Sequence, residues 1–199
     1  MSATYRESVE GWRWDYLTPW GWMPASGTPE YYGKDSLPRG WYRVERAVCL
    51  MRNHRAPHPD CTCGVHAVEH LTPTIADRID ELDAKRAIAV ADGRVPDPEA
   101  LVITLSRVRL ERVLPTAWPD DEEALRSHPD AVPDPPHTIR AHRKTYLEVL
   151  VDRDWPSLEG GWPAEVVPED GVHYVPDLAE WVRNRCGDDL ERFLDEVLS

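Results

Sequence analysis

The chain has 199 residues, 41% hydrophobic and 30% charged, the length of one ordinary domain or two small ones. That balance excludes wholesale disorder, and no apolar run approaches the ~18 residues that a spanning helix needs. With 23 basic against 36 acidic residues the net charge is −13, the wrong sign for a duplex-DNA reader.

The opening Met1-Ser-Ala-Thr-Tyr-Arg-Glu has no basic segment leading into an apolar one, so a soluble, cytoplasmic protein is expected. Gly11-Trp-Arg-Trp-Asp-Tyr-Leu alternates aromatic with polar residues, the period of a half-buried strand. Gly21 to Gly40 is rich in Gly and Pro and reads as loop, and Trp41 to Cys49 resumes strand character. Thr74 to Arg86 places Ile75, Ile79 and Leu82 at helical spacing behind Pro73, with Asp77, Asp80 and Glu81 in the early turns. Ala87-Ile-Ala-Val90 and Gly93 follow. Leu101 to Leu114 is the clearest strand: Val108 and Leu110 alternate with Arg107, Arg109 and Glu111, and Val113 falls one residue out of step.

Pro119 to Arg126 reads as a short acidic helix and Asp130 to Pro136 as a loop. Thr138 to Val151 suits strand or helix equally, and Trp155 to Pro168 is irregular. Pro176 to Arg183 predicts a helix with proline near its first position. Asp188 to Leu198 predicts another, with Leu190, Phe193, Leu194 and Val197 at i, i+3, i+4, i+7. Charge is uneven along the chain: residues 1–70 are neutral, and 152–199 hold 4 basic against 13 acidic residues. The expected fold is α+β, with a small mixed or antiparallel sheet, a zinc-knuckle-like Cys/His segment and C-terminal helices. Residues 1–151 form the zinc-stabilised domain in this reading. Residues 152–199 form an acidic helical extension, separate or packed on the same domain.

Chemistry concentrates in residues 49–66, which hold three of the four cysteines and three of the eight histidines. Residues i and i+2 of an extended chain face the same way, so Cys61 and Cys63 can offer both sulfurs to one ion. Gly64 frees the backbone to turn just afterwards. Cys49 and one histidine (His54, His58 or His66) complete a Cys3His set, whose softness and geometry suit Zn2+. The competing readings are buried or redox-active thiols; a Cys61–Cys63 disulfide would be strained. Cys186 reads as a core or partly exposed thiol.

His54-Arg-Ala-Pro57 followed by Cys61-Thr-Cys-Gly-Val-His-Ala67, with Cys49 upstream, resembles a group of uncharacterised actinobacterial and actinophage proteins. Those carry H-x-A-P, then C-x-C-G, an aliphatic residue, Tyr or His, and Ala. Gly11-Trp-Arg13 and the strand around Arg107-Val-Arg-Leu110 are similar too. The resemblance spans about the first 150 residues, leaves 152–199 outside and is interrupted by the proline-rich stretch 19–40. It implies ligands at Cys49, His54, Cys61 and Cys63. It disfavours His66, where tyrosine in relatives would not replace a ligand, and it implies no activity.

Other chemistries fit less well. His66-Ala-Val-Glu69-His70 matches H-x-x-E-H, which on a helix would make a zinc hydrolase, but Thr72-Pro73 follows at once. The deaminase, P-loop, nucleophile-elbow and dinucleotide patterns do not occur. Asp120-Asp121 and Asp188-Asp189 sit at helix starts, where they complement the macrodipole. Arg107, Arg109 and Arg112, with Arg140, Arg143 and Lys144, would form a basic surface for single-stranded nucleic acid or another partner. The sequence thus favours a non-enzymatic, zinc-stabilised interaction protein of phage-related type. Its partner would be a protein, its cofactor structural Zn2+, with no catalytic residue and no membrane. A metallohydrolase and a nucleic-acid binder are the alternatives.

Overall fold

A computed structural model describes residues 4–18, 21–24, 44–49, 53–58, 61, 63–93, 102–114, 138–152 and 168–186. The fold is α+β. Its strands are β1 (Arg6–Thr18), β2 (Gly21–Pro24), β3 (Val44–Arg46), β4 (Val65–Val68), β5 (Val102–Leu114), β6 (Thr138–Val151) and β7 (Val172–Tyr174). Helix α1 spans Pro73–Ala91, and α2 covers 178–186. Two compact units share these elements. The first comprises Met1–Arg13, Val44–His70 and Val108–Thr145; the second comprises Trp14–Arg43, Leu71–Arg107 and Tyr146–Ser199.

In the first unit β4 pairs antiparallel with β6 (Val65 opposite Ala141, Val68 opposite Thr138) and meets β1 at Trp12–Val68. On the other side of β6, β3 aligns Val44, Glu45 and Arg46 with Thr145, Lys144 and Arg143, also antiparallel. Buried residues of this unit include Val65, Ala67, Val68, Val108, Leu110, Val113, Ile139 and Ala141. Gly11 lies where β1 crosses β4: a Cβ there would stand 2.6 Å from the Val68 carbonyl oxygen. Backbone cannot yield as a flexible side chain does, so Gly11→Ala is expected to cost about 1–3 kcal/mol in urea unfolding. A change under 0.5 kcal/mol would show that β1 and β4 can separate there.

In the second unit β2 continues antiparallel from β1, and β7 joins β6 in parallel, so the pairing is mixed. Helix α1 buries Ile75, Ala76, Ile79, Leu82, Arg86 and Ala89 at helical spacing. It runs five residues past the expected Arg86, because the alanine-rich Ala87–Ala91 has high helix propensity and no breaker precedes Gly93 (φ +67). The first turn of α1 holds no acid. Asp177, rather than Pro176, caps α2 by accepting the Glu180 N–H at 2.7 Å.

A buried polar set ties this unit together. Tyr146 donates to Asp15 Oδ2 at 3.1 Å, Thr104 donates to the Asp15 carbonyl at 3.0 Å, and Tyr16 donates to the Leu82 carbonyl. Arg86 bridges to Asp152 at 2.7 Å.

Several expectations change in detail. The strand expected over 41–49 is confined among the described residues to Val44–Arg46, and Gly21–Pro24 is strand where loop was expected. Thr138–Val151 is strand throughout. The helices expected at 119–126 and 188–198, and the pairs Asp120-Asp121 and Asp188-Asp189, lie outside the described residues. No helix among those described is long and apolar enough to cross a membrane.

Candidate metal centre

The first unit delivers the Cys/His segment from strands on both sides. Beyond β3, Ala47 N–H donates to the His142 carbonyl at 2.7 Å, which holds the chain beside β6 as it approaches Cys49. Cys61 N–H donates to the His58 carbonyl at 3.2 Å. Cys63 and Gly64 then lead into β4. Gly64 sits at φ +137, with the Cβ atoms of Arg140 and Pro57 3.1 and 3.2 Å from where its own Cβ would be. A side chain there would be both strained and crowded, which explains glycine directly after the second cysteine.

The result is one cluster. Ligand atoms of Cys49, His54, Cys61 and Cys63 all lie within 4.8 Å of one another, and all four residues are half-buried. Cys49 Sγ and Cys61 Sγ are 3.8 Å apart, and His54 Nε2 is 3.3 Å from Cys63 Sγ. A disulfide needs ~2.05 Å, whereas a tetrahedron with ~2.3 Å metal–sulfur arms has edges of ~3.8 Å. The spacing is therefore compatible with ligands around an ion, and the four cysteines are unbridged.

Of the three candidate histidines, His54 joins the sulfurs. His58 stacks on it, ring centroids 4.5 Å apart and 10° from parallel, where it buttresses the ligand ring. His66 lies in β4, outside the cluster, and its carbonyl accepts from Arg13.

Packed against one another, the sulfurs favour the neutral thiol. Burial, then the contact with Cys61, pushes the Cys63 thiol up to about 11, against a hydrogen bond from the His58 backbone that favours the thiolate. Sulfurs this close resist ionising together unless a positive charge lies between them, and a divalent ion reverses that penalty. Burial first, then Arg55, with Arg112 and Arg46 adding to it against a hydrogen bond with the Ala56 backbone, holds His142 below the usual histidine value.

Arg140 is fully buried on β6. Its Nη1 donates to the His58 carbonyl at 3.3 Å and to the Cys61 carbonyl. Arg140 thus grips the metal-site loop and buried Lys144 pairs with Glu45 at 3.0 Å, so these two lie in the interior and not on the expected basic surface. Arg143 pairs with Glu111 at 3.0 Å. Arg107 bridges Glu148 and Asp170, Arg112 covers the Tyr5 ring and donates to the Ala56 carbonyl, and Arg109 is engaged by a neighbour.

The H-x-x-E-H alternative is also corrected. His66 to Val68 is strand, so His66 and His70 are not one helical turn apart, and the motif's geometry is lost. Glu69 forms an ion pair with Arg6, its Oε2 2.9 Å from Nη2. Cys186, as expected, is a buried thiol. The role of Arg140 had no signal in the sequence, because 79 residues separate it from the Cys61 carbonyl it contacts.

Compared with protein families, curated proteins and solved structures, the chain matches none.

Proposed function

We propose that Cys49, His54, Cys61 and Cys63 hold a structural Zn2+ and that the chain is a non-enzymatic, zinc-stabilised interaction protein. The observation that carries this is the mutual approach of four ligand atoms of zinc-preferring type within 4.8 Å. Three sulfurs and one imidazole fill a tetrahedron, leaving no position for substrate or activated water, which is the difference between structural and catalytic zinc sites. Zinc there fastens together the two ends of the segment that joins β3 to β4, an order that the 49–64 stretch, short of apolar residues, cannot draw from a core of its own. Unbridged cysteines fit a reducing, cytoplasmic setting. The acidic excess of residues 71–199 favours a protein partner with a basic face, and the likeness to actinobacterial and actinophage proteins suggests a phage-related context.

Metal analysis of protein purified in a reducing buffer tests the reading. One zinc per chain is expected in the wild type and in Cys186→Ala, and none in Cys63→Ser. A wild-type chain that refuses added Zn2+ would end it.

A further inference from the structure

Arg140 stands out among the groups around the metal centre. It is the largest fully buried side chain among the described residues, yet it points its donors at main-chain oxygens of the ligand loop. Three features of that placement act together. The backbone of Arg140 is registered opposite His66 in the β4–β6 ladder, so its position is tied to the strand that ends the loop. Its Cβ packs against Gly64, the residue that follows Cys63. Its Nη1 holds the carbonyls of both His58 and Cys61, which the Cys61 N–H already links. One side chain therefore spans the start, middle and end of the segment that presents Cys61 and Cys63.

Charge adds to geometry. Three thiolates, a neutral imidazole and a divalent ion sum to one negative charge. A guanidinium bonded to the Cys61 carbonyl stands a single residue's reach from one of those thiolates. In a partly buried setting such a cation stabilises the anionic, metal-loaded state over the protonated, metal-free one.

Resting on the zinc reading above, we propose that Arg140 is a positioning residue of the metal centre. Its buried guanidinium clamps the His58 and Cys61 carbonyls in the ligand-presenting arrangement, and its charge favours the loaded site. Partners of this kind hold first ligands in place, and losing one typically costs 10–100-fold in metal affinity.

The test uses the full-length chain in reducing buffer with Co2+ and Zn2+ as the probes. Co2+ reports coordination through its visible d–d bands and the thiolate-to-metal charge-transfer band. Zn2+ affinity is read by competition with a chromophoric chelator, and the pH of half-release is followed for each protein. Wild type is expected to show tetrahedral Co2+ bands. Arg140→Gln is expected to bind Zn2+ about 10–100-fold more weakly and to release it at a higher pH. Arg140→Lys, which keeps the charge on a shorter, non-planar head, is expected to fall between the two.

Wild-type affinity and release pH in Arg140→Gln would overturn the inference and leave the metal site standing. If Arg140→Gln does not fold, Arg140→Lys decides, and wild-type affinity there overturns the clamp. Absence of Co2+ bands in the wild type would overturn the zinc reading itself, and this inference with it.

Discussion

Stripping zinc with a strong chelator is expected to lower the melting temperature of the chain by about 10–20 °C, and added Zn2+ to restore it. The estimate starts from the ~10–16 kcal/mol apparent binding energy of structural zinc in small peptides. Only part of that is at stake here. Strand β4 remains laddered to β6 through Val65–Val68 without any metal, and Tyr5 donates to the Pro57 carbonyl. A loss near 5 kcal/mol is a reasonable share, and in a chain of this size each kcal/mol moves the transition by roughly 2–4 °C. Calorimetry with and without chelator measures it. A transition that stays in place would mean that the cysteines contribute as ordinary packed thiols.

Removing one carboxylate from β3 is expected to be the most damaging single change outside the metal ligands. Lys144 is 2% exposed along its side chain, and its Nζ lies 3.0 Å from Glu45, itself 14% exposed, directly across the β3–β6 ladder. Glu45→Ala leaves the ammonium buried with its carboxylate partner gone, a loss of about 3–5 kcal/mol. The paired replacement Glu45→Leu/Lys144→Met removes both charges and their desolvation cost, so it is expected to be close to neutral. Urea unfolding of the two variants gives the comparison. A double variant as unstable as Glu45→Ala would show that shape, rather than charge compensation, dominates this crossing.

Local pattern reveals much of this fold. The displaced Val113 in the Arg107–Leu114 alternation corresponds to a backbone event: Glu111 and Arg112 are both half-exposed in succession, and Arg112 takes φ +52. One extra residue in the strand shifts the facing of those that follow, as in a β-bulge. Thr138–Val151 was undecidable for the opposite reason. Strand β6 is buried on both faces over most of its length, so the period that separates strand from helix is erased. The Cys-x-Cys spacing and Gly64 pointed to a ligand loop, but three histidines lay within reach, and only packing separates His54 from His58 and His66.

The charged residues were the least legible. Arg140, Arg143 and Lys144 look like a basic run, yet two of the three are buried and each meets a partner distant in sequence. Composition counts charges, whereas pairing depends on strand register, which the chain order alone does not show. His66-Ala-Val-Glu69-His70 failed in the same way. Its motif requires a helix, and the Val-His-Ala-Val core of that segment instead completes a strand beside β6.

Zinc K-edge X-ray absorption on the purified chain tests the central claim most directly, since it reads the ligand shell rather than its consequences. The expected spectrum has three sulfurs at ~2.3 Å and one nitrogen at ~2.0 Å, in four-fold coordination, and Cys61→Ser, like Cys63→Ser, is expected to retain no zinc. A shell of nitrogen and oxygen alone, or zinc unchanged by that substitution, would place the metal elsewhere and contradict the account.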